Sequence, residues 1–195
     1  MGLAEIAPPI KAPLGSVTTD RLHLRPFERD DLDGLATVFA KPAVWQFPYG
    51  RGFTRDETAG FIESQIHGWN ELGFGCWIAT LLGTDEIVGF VGLSVPRFLP
   101  AILPAVEVGW RFDPDHWGKG FATEGALAGL REGFATLGLT EICSLPQSAN
   151  PRSFAVCERL GMTFEQTITC PPTDRRGEVE ARKYTMSRDG WTSLA

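Results

Sequence analysis

Histidine and tyrosine are scarce in this chain, and the few cysteines are not paired by spacing. Three histidines (His23, His67, His116) are scattered among 195 residues, and four cysteines (Cys76, Cys143, Cys157, Cys170) never fall in a C-x-x-C pattern. Zinc sites draw on such clusters, so the expectation is a chain that binds no metal. Cys76 and Cys143 sit in apolar strand-like runs, where a thiol behaves as a small hydrophobe. No apolar run is long enough to span a bilayer, and the N-terminus lacks the basic and apolar regions of a secretory signal. Those absences read as a reduced, cytoplasmic protein with no membrane partner. Basic residues are also in deficit. A net charge of −6 and a pI near 5.1 argue against nucleic acid as a partner and would mildly attract an amine.

Apolar residues at 43% and charged residues at 22% are those of an ordinary globular protein, and the length suits one domain. Neither repeat nor internal linker is visible. Residues 1–16, MGLAEIAPPIKAPLGS, read as a poorly ordered arm, residues 17–186 as the domain and residues 187–195 as a surface tail. Within the domain, residues 19–26 alternate like a strand. Residues 28–40 place Leu32, Leu35, Ala36 and Phe39 at helical spacing behind an acidic first turn. Thr54 and Glu57 have capping-box spacing, opening a helix with Ala59, Ile62, Ile66 and Trp69 inward and an end near Gly73. Residues 76–82 and 86–94 read as a hairpin around Gly83-Thr84-Asp85. Residues 162–167 and 178–186 read as a final strand pair.

Two stretches stay irregular. Residues 41–53 carry Trp45, Phe47 and Tyr49, either as rings tucked over the core edge or as one wall of an acceptor pocket. Residues 95–104 form an apolar, Pro-rich loop that would cover an active site or join a dimer interface.

The densest information lies in residues 107–162. A short strand over residues 106–112 runs into a turn built on Pro114, Gly118 and Gly120. A helix follows with Leu127, Leu130 and Phe134 on one face, stopped by Gly138. A second strand spans residues 141–145, and Asn150-Pro151 then opens a helix that ends at Gly161. Such a Gly-rich turn leaves bare backbone N–H groups at a positive helix end, where phosphate binds well. It is neither a Walker loop nor a dinucleotide fingerprint, since the required spacing and third glycine are missing. On the turn alone, a plain strand-to-helix connection is the better account, because short Gly-x-Gly runs are weak evidence.

The wording WGKGFATEG, with Asn150-Pro151-Arg152-Ser153, then ERLGM, and TDRLHLRPF near the start, resembles the GNAT superfamily of N-acetyltransferases. Within it the likeness is to the branch of ribosomal-protein N-terminal alanine acetyltransferases. Gly120 and Ala122 match the superfamily's pyrophosphate loop, and Trp117 stands where arginine or glutamine is usual. The resemblance covers roughly residues 17–186. It implies an α/β (α+β) fold: a mixed, mostly antiparallel central sheet of about seven strands, a splayed strand pair at the cofactor site and about four flanking helices.

It also implies acetyl-CoA as co-substrate and an amine acceptor, either a protein N-terminus or a small molecule, with a homodimer possible. By the same resemblance, backbone N–H groups of Trp117, Gly118, Lys119, Gly120, Phe121, Ala122 and Thr123 receive the pyrophosphate. Lys119 either adds charge there or stands in solvent. Exposed backbone groups of Trp110 and Phe112, and the side chain of Asn150, meet the pantetheine arm. Glu107 is the candidate general base and Ser153 the candidate donor to the leaving thiolate. The tyrosine often used further along that helix is replaced by Cys157, and the chain's two tyrosines, Tyr49 and Tyr184, lie elsewhere. Two other classes compete: a CoA-binding scaffold without chemistry, and a nucleotide-binding module.

Overall fold

In the computed structural model, which describes residues 3–194, helices lie on both faces of one eight-stranded sheet. The chain runs α1 (Leu3–Ile6), β1 (Val17–Thr18), β2 (Leu22–Arg25), α2 (Leu32–Phe39), α3 (Gln46–Tyr49), α4 (Arg55–Leu72), β3 (Cys76–Leu81) and β4 (Ile87–Ser94). It continues through β5 (Glu107–Phe112), α5 (Phe121–Ala135), β6 (Glu141–Ser144), α6 (Pro151–Arg159), β7 (Thr163–Cys170), β8 (Val179–Ser187) and α7 (Arg188–Leu194). The strand order is β1-β2-β3-β4-β5-β6-β8-β7, and among these pairs only β5 with β6 is parallel. The expected sheet gains one strand, the two-residue edge β1, which precedes the first predicted run and pairs with β2.

Local chemistry explains most boundaries. Thr54 accepts from the Glu57 N–H and Glu57 returns to the Thr54 N–H, closing the capping box that starts α4. Gly73 ends that helix at φ 72°, a left-handed conformation that costs glycine nothing. In α5 the expected inward stripe is corrected. Leu130 and Phe134 are buried, but Leu127 is exposed. The inner face is built on Gly125, Gly129 and Gly133 instead. A Cβ on Gly125 would come within 2.5 Å of Val91 Cγ1, and one on Gly133 within 2.5 Å of Ile142 Cδ1. Glycine lets the helix backbone approach β4 and β6 more closely than leucine would allow.

The N-terminal segment does not hang loose. Ile6, Ala7, Ile10 and Leu14 pack on the main core, the Lys11 N–H donates to Leu137 O at 2.9 Å, and Trp77 Nε1 donates to Gly15 O at 2.8 Å. Its prolines fit an extended strap after α1 that partly buries these apolar side chains. At the other end α7 lays Trp191 6.0 Å from the Phe134 ring. The loop at residues 95–104 is also more covered than expected, because Val95, Pro96 and Leu99 are buried and Phe98 is its one large hydrophobic side chain that stands exposed.

Gly89 sits in β4 at φ 145°, and a Cβ there would overlap the Arg111 carbonyl oxygen of the neighbouring strand. Gly89→Ala should therefore cost about 2–4 kcal/mol and lower Tm by roughly 5–15 °C. Gly118→Ala, which meets open space and only a positive φ, should cost about 1 kcal/mol. Parallel thermal melts of the two variants check this ranking.

Candidate active site

The site begins where β5 and β6 part. These two strands are in register at one position, Glu107 with Cys143, with the Cys143 N–H donating to Val106 O at 2.9 Å. On the far side of β5 the Asp113 N–H donates to Val88 O at 2.8 Å. Backbone groups alternate along a strand. Beyond the single bridge at Glu107, those of Trp110 and Phe112 therefore turn towards the gap, where no strand meets them. The implied splayed pair is present. Phe112 needs a correction, because its carbonyl already accepts from Trp117 Nε1 at 2.8 Å, leaving its N–H.

Beyond β5 the turn at residues 113–120 is tightly held. Gly118 and Gly120 take φ 78° and 88°, and Gly120 caps α5 without a side-chain bond. The first helical bond is from the Glu124 N–H to Gly120 O. Among the described residues, no acceptor meets the N–H groups of Phe121, Ala122 and Thr123. That row of donors fits a diphosphate. The Phe121 side chain turns into the core, so only its backbone belongs to the turn. Lys119 is exposed, with Nζ 3.3 Å from His116 Nδ1. Arg152 stacks 4.4 Å from the Trp117 ring and extends the cationic rim.

Arg21 holds the turn from below, donating to Lys119 O at 2.8 Å and pairing with Glu124 at 2.6 Å. Lys41 ties it to the opposite wall: its ammonium lies 2.6 Å from Asp113 and 2.7 Å from Asp115. Those bonds, Asp113 first, raise the Lys41 pKa and lower that of Asp115.

Below the gap lies a cavity of about 320 Å³, lined by Glu107, Trp110, Asn150 and Ser153 among others. Glu107 is half-buried there. Loss of hydration pushes its carboxyl up to about 7, against the Leu145 backbone N–H and the more distant Arg111, which both favour the charged form. Asn150 caps α6, its Oδ1 accepting from the Ser153 N–H at 3.4 Å. That bond fixes the amide orientation, so Nδ2 donates to Ser153 Oγ at 3.0 Å. The Ser153 hydroxyl thus has its acceptor side engaged and its proton free to point into the cavity.

Cys157 is fully buried, its thiol pushed up to about 12 by desolvation. Tyr184 is buried beside Phe154 and Phe164. Among the described residues no group of histidine, cysteine, aspartate and glutamate is arranged to hold a metal ion.

The aromatic segment at residues 41–53 divides its rings between the core and the cavity. Trp45 and Phe53 stack at 3.9 Å inside the second core cluster, while Phe47 and Tyr49 line the cavity. Arg111, Gln147 and Arg176 also line it, and the sequence reading passed over all three. Arg111 was within reach of period-two reasoning, since residues 107, 109 and 111 share one face of β5.

A gap that bares backbone on a central strand thus lies beside a helix start with unpaired N–H groups and above a half-buried carboxyl. The chain belongs to the Acetyltransferase (GNAT) domain family, which matches residues 21–163. It is similar to FsC-acetyl coenzyme A-N(2)-transacetylase of Aspergillus fumigatus, 31% identical over 90% of this chain and 77% of that protein. It is also similar to the uncharacterized protein YkkB of Bacillus subtilis, 31% identical over 78% of this chain and 87% of the other. Among solved structures, an acetyltransferase from Agrobacterium tumefaciens superposes with a TM-score of 0.71 at 28% identity, covering 92% of this chain and 98% of that one. A ribosomal-protein-serine acetyltransferase structure from Vibrio cholerae shares the fold, with a TM-score of 0.75 at 18% identity over 91% and 99% of the two chains.

The raised Glu107 pKa has a signed consequence. Above its ordinary value of 4.5 and below about 7, the native carboxyl holds a proton that the unfolded chain has released. Its contribution to stability is complete below about pH 4.5 and is lost as pH rises through 7. Glu107→Gln should melt like the parent at pH 4.5 and be more stable at pH 8, by up to about 3 kcal/mol. Melting curves at both pH values check the sign.

Proposed function

We propose that the protein transfers an acetyl group from acetyl-CoA directly to a primary amine, either a protein N-terminus or a small molecule. The observation that carries this reading is the opening of Glu107 and Ser153 onto one cavity at the parting of β5 and β6. Acetyl-CoA, when bound, supplies the thioester carbonyl that the amine attacks. Backbone N–H groups at the start of α5, with Gly118 and Gly120, would hold its diphosphate; the Trp110 backbone and Asn150 would flank its arm. Glu107 takes the proton that the amine sheds as its nitrogen bonds to the acetyl carbon. As the carbon–sulfur bond breaks, the Ser153 hydroxyl donates to the departing sulfur, with solvent restoring its proton.

A carboxyl titrating near 7 suits the task. An α-amine with a pKa near 8 is already about a tenth neutral at pH 7, whereas a lysine amine is neutral about once in a few thousand. A base of modest strength serves the first well and the second poorly. The name of the Aspergillus relative pairs acetyl coenzyme A with an N(2) position, which supports the same co-substrate and a nitrogen acceptor here. The WGKGFATEG wording supports a protein N-terminus as one acceptor class.

Two measurements test this. At a hundred times its Kd, acetyl-CoA should stabilise the parent by about 2.7 kcal/mol in a thermal shift. Gly120→Glu, which sets a carboxylate beside the unpaired N–H groups, should fold and lose the shift. No shift in the parent would sink the cofactor assignment. In steady-state kinetics kcat/KM expressed per neutral amine should fall on the acid side of about pH 7, and Glu107→Gln should lower it about 10²–10⁴-fold and abolish that limb. An unchanged limb in the variant would remove Glu107 from the role.

A further inference from the structure

The charges lining the cavity do not match those of the chain as a whole. The protein carries a net −6, yet among the described residues that line this cavity Glu107 is the one carboxylate, while Arg111 and Arg176 are both cationic. An acceptor that was nothing but a cation would meet two guanidinium groups on its way to the base.

Arg111 is the more informative of the two. It lies four residues beyond Glu107 on the same face of β5, about 13 Å away along the strand, with Gly109 between them. A Cβ on Gly109 would meet only Glu107 Oε1, at 4.0 Å, so the floor between the two charges is open. Glu107 and Arg111 form no ion pair among the described residues and instead bracket that floor. The guanidinium stacks 4.1 Å from the Trp45 ring and donates from Nη1 to Val44 O at 2.8 Å. Its Nε and Nη2 have no acceptor among the described residues. Nearby, Gln147 Nε2 is a buried donor without a partner in the lining of the same cavity. The unpaired Gln147 donor is costly to bury, and a ligand that brings acceptor oxygens repays it while also reaching the free Arg111 donors. A planar guanidinium matches a carboxylate above all.

We propose that the acceptor is a small amine carrying a carboxylate, which Arg111 binds with Gln147 as a further donor while the amine lies towards Glu107. The inference rests on the N-acetyltransfer reading and narrows its acceptor to an amino-acid-like molecule. Arg111 belongs to the acceptor side, because residues 107, 109 and 111 share the face of β5 opposite that of Val108 and Phe112, which packs with α5 in the main core. The stacking on Trp45 then serves to aim the guanidinium, which burial pushes down to about 10, still cationic at neutral pH.

The test uses matched acceptors that differ only in the carboxylate: L-alanine with L-alaninamide, and β-alanine with β-alaninamide, each rate expressed per neutral amine. The parent should favour the acids in kcat/KM by about 10- to 100-fold, the range of a charge-assisted hydrogen bond. Arg111→Gln should bring each pair to near parity while leaving the acetyl-CoA thermal shift intact. If it fails to fold, Arg111→Lys, which keeps the charge without the planar fork, should cut the ratio several-fold. Parity in the parent would overturn the proposal. So would an equal loss for both members of a pair in Arg111→Gln, the mark of a residue that merely braces Trp45. If the parent acetylates no amine at all, the transfer reading fails. Thermal shifts with the same pairs, cofactor present, then decide carboxylate binding: an acid-selective shift upholds it, and equal shifts reject it.

Discussion

The site depends on an interrupted ladder. β6 pairs with β5 once, at Cys143, and the next N–H on that edge, Leu145, faces the Glu107 carboxyl rather than another carbonyl. A side chain thus stands where main-chain pairing would have continued. From there β6 is free to diverge with β8, the Trp110 backbone is bared, and the carboxyl is lodged at the vertex with little water around it. The same event opens the gap beside β5 and shifts the titration of the residue at its vertex.

A sheet opened in its middle must be held by other contacts. On one face α5 crosses β4 and β6 with glycines inward, and close approach of backbone replaces interlocking side chains there. On the other face an aromatic cluster of Phe27, Phe39, Trp45, Phe53 and Phe90 fills the space under α2 and α4. Most of these rings meet edge-on, with Trp45 and Phe53 stacked, arrangements that add to the area they bury. The two faces are solidified by different means, and the cavity occupies the seam between them.

Local signals made much of this legible beforehand. The capping box at Thr54, the glycine stop at Gly73 and the Asn150 cap depend on near neighbours in sequence, and each lies where its spacing required. Glu107, Trp110, Asn150 and Ser153 do share one cavity, although the motif could say nothing of distance. What escaped detection depended on packing. Leu127 has the right period for the core, yet three glycines hold the helix too close to the sheet for that face to turn inward. Residues 1–16 looked loose because prolines suppress regular structure, which does not prevent an extended strap from laying Ile6, Ile10 and Leu14, partly buried, against the core. Arg111 and Gln147 were missed because an isolated arginine or glutamine in sequence carries no sign of where its donors will point.

Lys41 introduces a relation between the two halves of the site. Its single ammonium is shared by Asp113 and Asp115, at the head of the cofactor turn, while its backbone leads directly into the segment that carries Trp45, Phe47 and Tyr49. Neither wall can shift without disturbing bonds to the other. Lys41 and Asp113 stand 72 residues apart in the chain, and one ammonium makes the turn before α5 and the aromatic segment parts of a single bonded frame.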